Sequence, residues 1–289
     1  MIKSFQLLLP EAAAIPLVFD SPHSGMALPT GFQCQASEAQ MRSGWDAYVD
    51  ELWQPATQVG ATVLKALVSR MVIDLNRAVD DIDPDMIAGE WPASINPTAY
   101  SQRGMGLLRR YALPGLPMYQ QPLSVADVQQ RIADYYLPYH QCLAELLANY
   151  HATFGAVWHI DCHSMKSRGN AMNIDNEQAR PSIVIGDKDG RSADADFTQL
   201  LVNFFENAGY SVAVNHPYKG GYLTECFADP QHNRHSVQIE INRALYMDEK
   251  TFSKHAGFYQ LQSDLAELAA VIRNFISAKL SSLAQGNSL

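Results

Sequence analysis

Cysteine is scarce and scattered. Cys34, Cys142, Cys162 and Cys226 are the four in 289 residues, and no two form a CxxC pair. That excludes a disulfide framework and leaves four reduced thiols. Basic clusters are missing as well. A nucleic-acid-binding protein needs a Lys/Arg stripe to neutralise phosphates, and this chain carries none, at a net charge of −9. The acidic balance leaves small anions open as ligands, because a few arginines set the potential of one cleft. Apolar runs long enough to cross a bilayer are also lacking. Leu7-Leu8-Leu9 and Ala12-Ala13-Ala14 imitate a secretory signal, but Pro10 and Glu11 interrupt them, so the expectation is a cytoplasmic protein with no membrane segment. Repeats and low-complexity linkers are absent too.

What is present is material for a core. Hydrophobic residues make up 47% and charged residues 18%, a balance that excludes disorder. The length suits one large α/β domain or two small ones, and the expected organisation is a single domain over 1–289. Short apolar runs alternate with amphipathic segments, which predicts an α/β fold with a mainly parallel sheet. Strands are expected at Leu17–Asp20, Thr62–Ala66, Met71–Asp74, Ala156–Ile160, Ser182–Ile185, Ser211–Val214 and Ser236–Glu240. Helices are expected over Glu38–Val59, with Gly44 weakening its middle, and over Ser124–Tyr150, opened by a Ser124/Asp127 capping box. Pro138 predicts a kink or break in the second of these. Ala193–Ala208 stops before Gly209, and Phe252–Leu283 forms a long amphipathic helix. From Ala78 to Leu123, about 45 residues show little period and much Pro, Gly and Asp; so long a loop in a compact domain is usually functional, and it reads as an active-site loop.

Three apolar runs end in residues that bind metals or move protons. Leu17–Asp20 leads into Ser21-Pro22-His23-Ser24-Gly25. Ala156–Ile160 leads into Asp161-Cys162-His163-Ser164. Val237-Gln238-Ile239 leads into Glu240-Ile241-Asn242-Arg243. In parallel α/β sheets ligands bind outside the carboxyl ends of strands, so residues far apart in sequence converge there. Two histidines and acids in that position describe a catalytic zinc site. His159, inside its strand, reads as structural; His140, His151 and His255 read as packing or solvent residues. A fourth run leads into Asp74-Leu75-Asn76-Arg77, where an amide beside a guanidinium fork suits a bidentate grip on a carboxylate. A serine nucleophile is disfavoured: Ser24 and Ser164 follow histidines, but no Gly-x-Ser-x-Gly elbow exists and adjacent strand residues face opposite ways. Cys162 alternates away from His163 for the same reason.

Taken in order, Ser-Pro-His-Ser-Gly, Asp46-Ala-Tyr-Val-Asp50-Glu-Leu, Asp-Leu-Asn-Arg, Asp-Cys-His-Ser, Tyr218-Lys219-Gly220-Gly221, Gln-Ile-Glu-Ile and Tyr246-Met247-Asp248-Glu249 resemble the N-formylglutamate amidohydrolase family, a distant relative of the zinc carboxypeptidases. The motifs span about residues 15 to 250. The resemblance implies a three-layer α/β/α sandwich with a mainly parallel mixed sheet and one zinc ion per chain. It implies His23 and His163 as ligands and a small anionic amide, N-formyl-L-glutamate, as substrate, cleaved to glutamate and formate in histidine breakdown. Another N-acyl amino acid or a short peptide is the alternative. The carboxypeptidase position for an acidic ligand, three residues after the first histidine, holds Met26 here. Asp46 is therefore the first choice for third ligand and Asp50 the second, four apart on an expected helix; Glu51 points elsewhere. Glu240 is the expected general base, taking the proton of a water activated by zinc. Asn76 and Arg77 are expected to hold the substrate α-carboxylate. Lys219 beside Gly220, or Arg103, Arg109 or Arg110 on the long loop, would meet a second carboxylate. His235 is expected to be a substrate contact or a support for the site.

Overall fold

The runs read as strands assemble into one sheet in the computed structural model, which describes residues 2–286 apart from 174 and 176. In chain order the first elements are β1 (Phe5–Leu8), β2 (Leu17–Ser21), α1 (Glu38–Met41), α2 (Val49–Trp53) and β3 (Thr62–Ala66). The long loop carries five short pieces, β4 (Ile87–Ala88), α3 (Ala99–Gln102), β5 (Tyr111–Leu113), β6 (Leu116–Pro117) and β7 (Leu123–Ser124). There follow α4 (Val125–Arg131), α5 (Leu137–Phe154), β8 (Val157–Met165), β9 (Ile183–Gly186) and α6 (Ala195–Asn207). The chain continues through β10 (Val212–Val214), α7 (Tyr222–Cys226), β11 (Arg234–Asn242) and α8 (Gly257–Gly286).

The sheet order is β1-β3-β2-β8-β11-β9-β10. β3, β2, β8 and β11 are parallel; β1 is antiparallel at the edge, and β9 meets β11 antiparallel. Alternation then sorts the side chains into two faces. Leu17, Phe19, Trp158, Ile160, Cys162, Val237, Ile239 and Ile241 face one core, covered by α2, α6 and α8. The other face carries Val18 and Val157 under Tyr139, Leu143 and Leu147 of α5. Helices on both faces make the three-layer α/β/α arrangement that was expected. Among the described residues, no helix is long and apolar enough to cross a membrane.

The second face is unusual in what lies between its apolar rims. Ser236, Gln238 and Glu240 of β11 sit in register beside His159, Asp161 and His163 of β8, and Asp20 of β2 pairs with Asp161. A file of buried polar groups thus runs along the centre of the sheet toward its strand ends.

Two expected elements differ. Met71–Asp74 is a turn and not a strand: Val72 N–H donates to Ser69 O and Asp74 N–H to Leu107 O. Its apolar residues are buried by the long loop, and burial alone produces the same pattern as a core strand. Glu38–Val59 is not one helix but α1, a 3-10 turn Arg42–Gly44, a non-helical link and α2, followed by a 3-10 segment Gln54–Val59. A Cβ on Gly44 would lie 2.5 Å from Met71 Cε, and Tyr48 adopts φ 62, so the chain leaves the helix tightly packed and re-enters by a left-handed residue. The second long helix is divided as expected: a π-turn over Ile132–Tyr136 separates α4 from α5, and Pro138 lies in the first turn of α5, where its missing N–H is tolerated. β1 was not foreseen.

Candidate active site

His23 lies in the turn after β2 and His163 near the end of β8, on neighbouring parallel strands. Asp46 reaches them from the link between α1 and α2, where its own N–H donates to His23 O at 3.0 Å. His23 Nδ1 is 3.1 Å from His163 Nδ1; Asp46 Oδ2 is 3.0 Å from His163 Nδ1 and 3.7 Å from His23 Nδ1. All three residues are buried. The break in the expected helix is therefore what delivers Asp46, and Asp46 and Asp50 do not share a helix face. Asp50 turns away to Lys65 at 3.0 Å, and Glu51 pairs with Lys254.

Both imidazoles are gripped from behind. His23 Nε2 meets Asp74 Oδ1 at 2.7 Å. His163 Nε2 lies 2.6 Å from Asp161 Oδ1, as an ion contact off the hydrogen-bond axis. Carboxylates behind both rings leave the two Nδ1 atoms pointing at one spot, the arrangement that orients histidine ligands. Asp46 is held likewise: Arg243 Nη2 donates to Oδ1 at 2.8 Å and Ser164 N–H to Oδ2 at 3.2 Å. A tetrahedral zinc with bonds of about 2.0–2.1 Å needs donors roughly 3.3–3.4 Å apart, and the three separations bracket that value. The residues present thus fit a metal ion.

Two of the three groups carry charges that suit this geometry, whereas at His163 burial is outweighed by Asp161 and Asp46, which hold the imidazole well above its ordinary range, so a metal would have to displace a proton there. Burial works against ionised Asp46, but His163, His23 and Arg243 hold its carboxyl well below the usual range. Burial, followed by Arg70, pushes His23 down, a direction that favours the neutral ring a ligand needs. Glu240 stands in register with His163, accepts from Gln238 Nε2 at 2.9 Å, and is pushed up to about 7, chiefly by burial.

These residues open onto a cleft of about 550 Å³. Its wall includes His23, Asp46, Arg70, Asn76, Arg77, Arg109, His163, Arg180, Glu240 and Arg243, so a chain of net negative charge presents a cationic pocket. Asp81, Thr98, Tyr100, Arg103, Met105 and Arg109 of the long loop line it.

Several expected residues are placed differently. Asn76 reaches the cleft but is occupied by protein: Nδ2 donates to Asp161 Oδ2 at 2.8 Å and also lies 2.8 Å from His163 Nε2, while Oδ1 accepts Leu223 N–H. It holds Asp161, the carboxylate behind His163, and its amide does not stand free for a substrate. A Cβ on Gly221 would lie 2.4 Å from Asn76 Nδ2, which is why that motif position is glycine. Gly220 is beside it with φ +109, against Thr224. Arg77 donates from Nε to Met105 O and from Nη1 to Asn76 O, and lies 4.0 Å over the Tyr100 ring. Lys219 is at the rim, its side chain 60% exposed and paired with Asp189. Arg110 pairs with Asp83. His235 is not brought to the site; it lies at the opposite end of β11, buried against Trp158 with ring centroids 5.3 Å apart. Five residues of strand separate it from Glu240, roughly 16 Å.

Asp74, Asp161, Arg70 and Arg243 were missed as working residues. Asp161 could have been found, since it sits two before His163 and so shares its face. Arg243 and Arg70 carry no local signal.

A second constellation needs separate treatment. Ser236 Oγ, His159 Nδ1, His159 Nε2 and Asp20 Oδ1 form a chain at 2.8 Å and 2.8 Å, the order of a nucleophilic triad. All three residues are at most 1% exposed and none lines the cleft, so no substrate reaches them. Asp20 also accepts from Tyr139 Oη at 2.7 Å, tying α5 to the sheet. Asp20→Ala would orphan two buried donors, and we expect a loss of about 3 kcal/mol in denaturant unfolding.

Known proteins resemble this chain along most of its length. Residues 15–247 match the family described as N-formylglutamate amidohydrolase. A Pseudomonas aeruginosa N-formylglutamate deformylase is 30% identical over 271 residues, 92% of this chain and 93% of that protein. A Pseudomonas putida protein of the same name is 28% identical over 81% of this chain and 83% of its own. The crystal structure of an N-formylglutamate amidohydrolase from Ralstonia eutropha JMP134 superposes with a TM-score of 0.92 at 40% identity, over 96% of this chain and all of that one. The gene product Atu2144 of Agrobacterium tumefaciens shares the fold at a TM-score of 0.64 and 18% identity, over 98% and 96% of the two chains.

The chain is a hydrolase of α/β architecture. It belongs to the N-formylglutamate amidohydrolase family.

Proposed function

We propose that this enzyme hydrolyses N-formyl-L-glutamate to L-glutamate and formate, with one zinc ion per chain held by His23, Asp46 and His163. The observation that carries the reading is the convergence of two carboxylate-backed Nδ1 atoms and Asp46 Oδ2 within 3.7 Å of one another. Two nitrogens and one oxygen suit a catalytic zinc with an open position. The named activities of the Pseudomonas and Ralstonia relatives supply the substrate.

When bound, zinc supplies Lewis-acid polarisation and lowers the pKa of water toward neutrality. The rest is done by side chains. Asp74 and Asp161 fix the ring directions, Asn76 Nδ2 holds Asp161 by donating to its Oδ2, and Arg243 turns Asp46 so that Oδ2 faces the histidines. Glu240 takes a proton from the attacking water and delivers it to the amide nitrogen as the C–N bond breaks. A carboxyl poised near 7 suits both transfers. Arg77 offers the cleft Nη2, which has no protein acceptor among the described residues, for the substrate α-carboxylate. The segment 78–123 acts as the substrate loop within one domain. On the same reading, we propose that the reaction ends one route of histidine breakdown.

An assay of formate release from N-formyl-L-glutamate, beside N-acetyl- and N-succinyl-L-glutamate, tests this. We expect the formyl substrate to dominate in kcat/KM; release of the larger acyl groups at equal or greater rate would reject the assignment.

A further inference from the structure

The buried arginines of the cleft have acceptors, with one exception. Arg70 binds Asp74, Arg180 binds Asp175 through two bonds, and Arg243 binds Asp46. Arg109 is 8% exposed, and its side chain makes no hydrogen bond among the described residues; its Nε is buried without a partner. Its ion contact is Asp74 Oδ2, 3.7 Å from Nη2. That carboxylate is already committed: it takes two bonds from Arg70, one from His23 Nε2 and one from Asn76 N–H. Burial, with Arg70 next, pushes the Arg109 guanidinium down to about 9, far below the usual arginine range.

This is not a solvated loop arginine. The backbone before it is pinned, since Leu107 O accepts Asp74 N–H and Leu107 N–H donates to Asp81 O, both at 2.8 Å. Leu107 itself and Leu108, the residue between it and Arg109, are both buried. The guanidinium is therefore held at the cleft wall in a desolvated position where no protein group hydrogen-bonds it and its one ion contact, Asp74, is shared with Arg70 and His23. A buried charge without a partner is strongly unfavourable, and it is retained where a ligand completes it. A fork of guanidinium donors matches a carboxylate.

We infer that Arg109 binds one of the two substrate carboxylates and so makes the site selective for an N-acyl dicarboxylic amino acid. The inference rests on the reading of the substrate given above. Lys219 and Arg110, the other cations considered for this role, are paired with Asp189 and Asp83, and Arg103 is exposed.

The test compares wild type with Arg109→Gln on three substrates: N-formyl-L-glutamate, N-formyl-L-glutamine, which lacks the side-chain charge, and N-formyl-γ-aminobutyrate, which lacks the α-carboxylate. On N-formyl-L-glutamate the variant should lose ~100-fold in kcat/KM, mostly through KM, as expected for truncating one partner of a desolvated charge pair. On the truncated substrate missing the carboxylate that Arg109 binds, wild type and variant should agree within a few-fold, which also tells which carboxylate it is. An equal loss on all three substrates overturns the inference. Thermal shift gives a readout apart from turnover. L-Glutamate should protect the wild type and not the variant, while the ligand-free variant should melt at or above the wild-type temperature; equal protection of both by glutamate overturns it. Should Arg109→Gln fail to fold, Arg109→Lys keeps the charge without the fork, and an unchanged KM for N-formyl-L-glutamate in that variant also overturns it. Absence of formate release by the wild type would instead reject the substrate reading itself.

Discussion

Replacing Glu240 by glutamine is expected to lower kcat for formate release by ~1,000-fold, within the range typical for loss of a general base, while the protein keeps its metal. The argument is positional. Glu240 is beside His163 in the β8–β11 register and faces the cleft, yet it is not among the three groups whose donor atoms converge. Glutamine preserves shape and the contact with Gln238 but cannot accept the proton. The pH profile adds a signature. Burial, with Asp46 adding to it and His163 opposing, raises the Glu240 carboxyl to about 7. The base works ionised, so kcat/KM should rise with pH through that region and fall below it; a bound cation moves the limb to lower pH. The glutamine variant should lack this limb. Unchanged turnover, or an unchanged acid limb, removes Glu240 from the mechanism.

His163→Ala should be more damaging. The ring contacts Asp46 and His23 on one side and Asp161 and Asn76 on the other, so its loss removes one of the three proposed metal ligands and the main counter-charge of Asp161. Loss of supporting residues alone costs metal sites about 10–100-fold in affinity, so loss of a ligand should exceed ~100-fold. Leaving Asp161 buried and poorly paired should also destabilise the metal-free protein by about 3 kcal/mol. Zinc content, turnover and unfolding midpoint check the three consequences separately. A variant that retains stoichiometric zinc would place the metal elsewhere.

The strand ends were legible because alternation and apolar runs report burial directly. His23, His163 and Glu240 each follow such a run, and the sheet brings them together. Asp46 was legible as a residue but not by the expected route: an unbroken helix was read where the chain breaks, because the close Gly44–Met71 approach and the left-handed Tyr48 are set by tertiary packing. Met71–Asp74 was misread as a strand for a related reason, since a turn buried by a loop is as apolar as a strand. Asn76 was recognised by type and given the wrong neighbour. An amide has donors and an acceptor that serve a substrate or a buried carboxylate equally well, and only the fold shows Asp161 Oδ2 at 2.8 Å. His235 failed by simple length, being at the far end of the strand that carries Glu240. Arg109 could be listed from sequence among loop cations but not singled out, because what distinguishes it is the absence of an acceptor.

The most direct measurement is a zinc titration of metal-stripped protein, following formate release from N-formyl-L-glutamate. Activity should be negligible without metal, rise linearly and reach its plateau at about one zinc per chain, the stoichiometry of a single three-residue site with an open position. Full activity in the stripped protein, or a plateau that His163→Ala reaches equally well, would contradict a metal centre built from His23, Asp46 and His163.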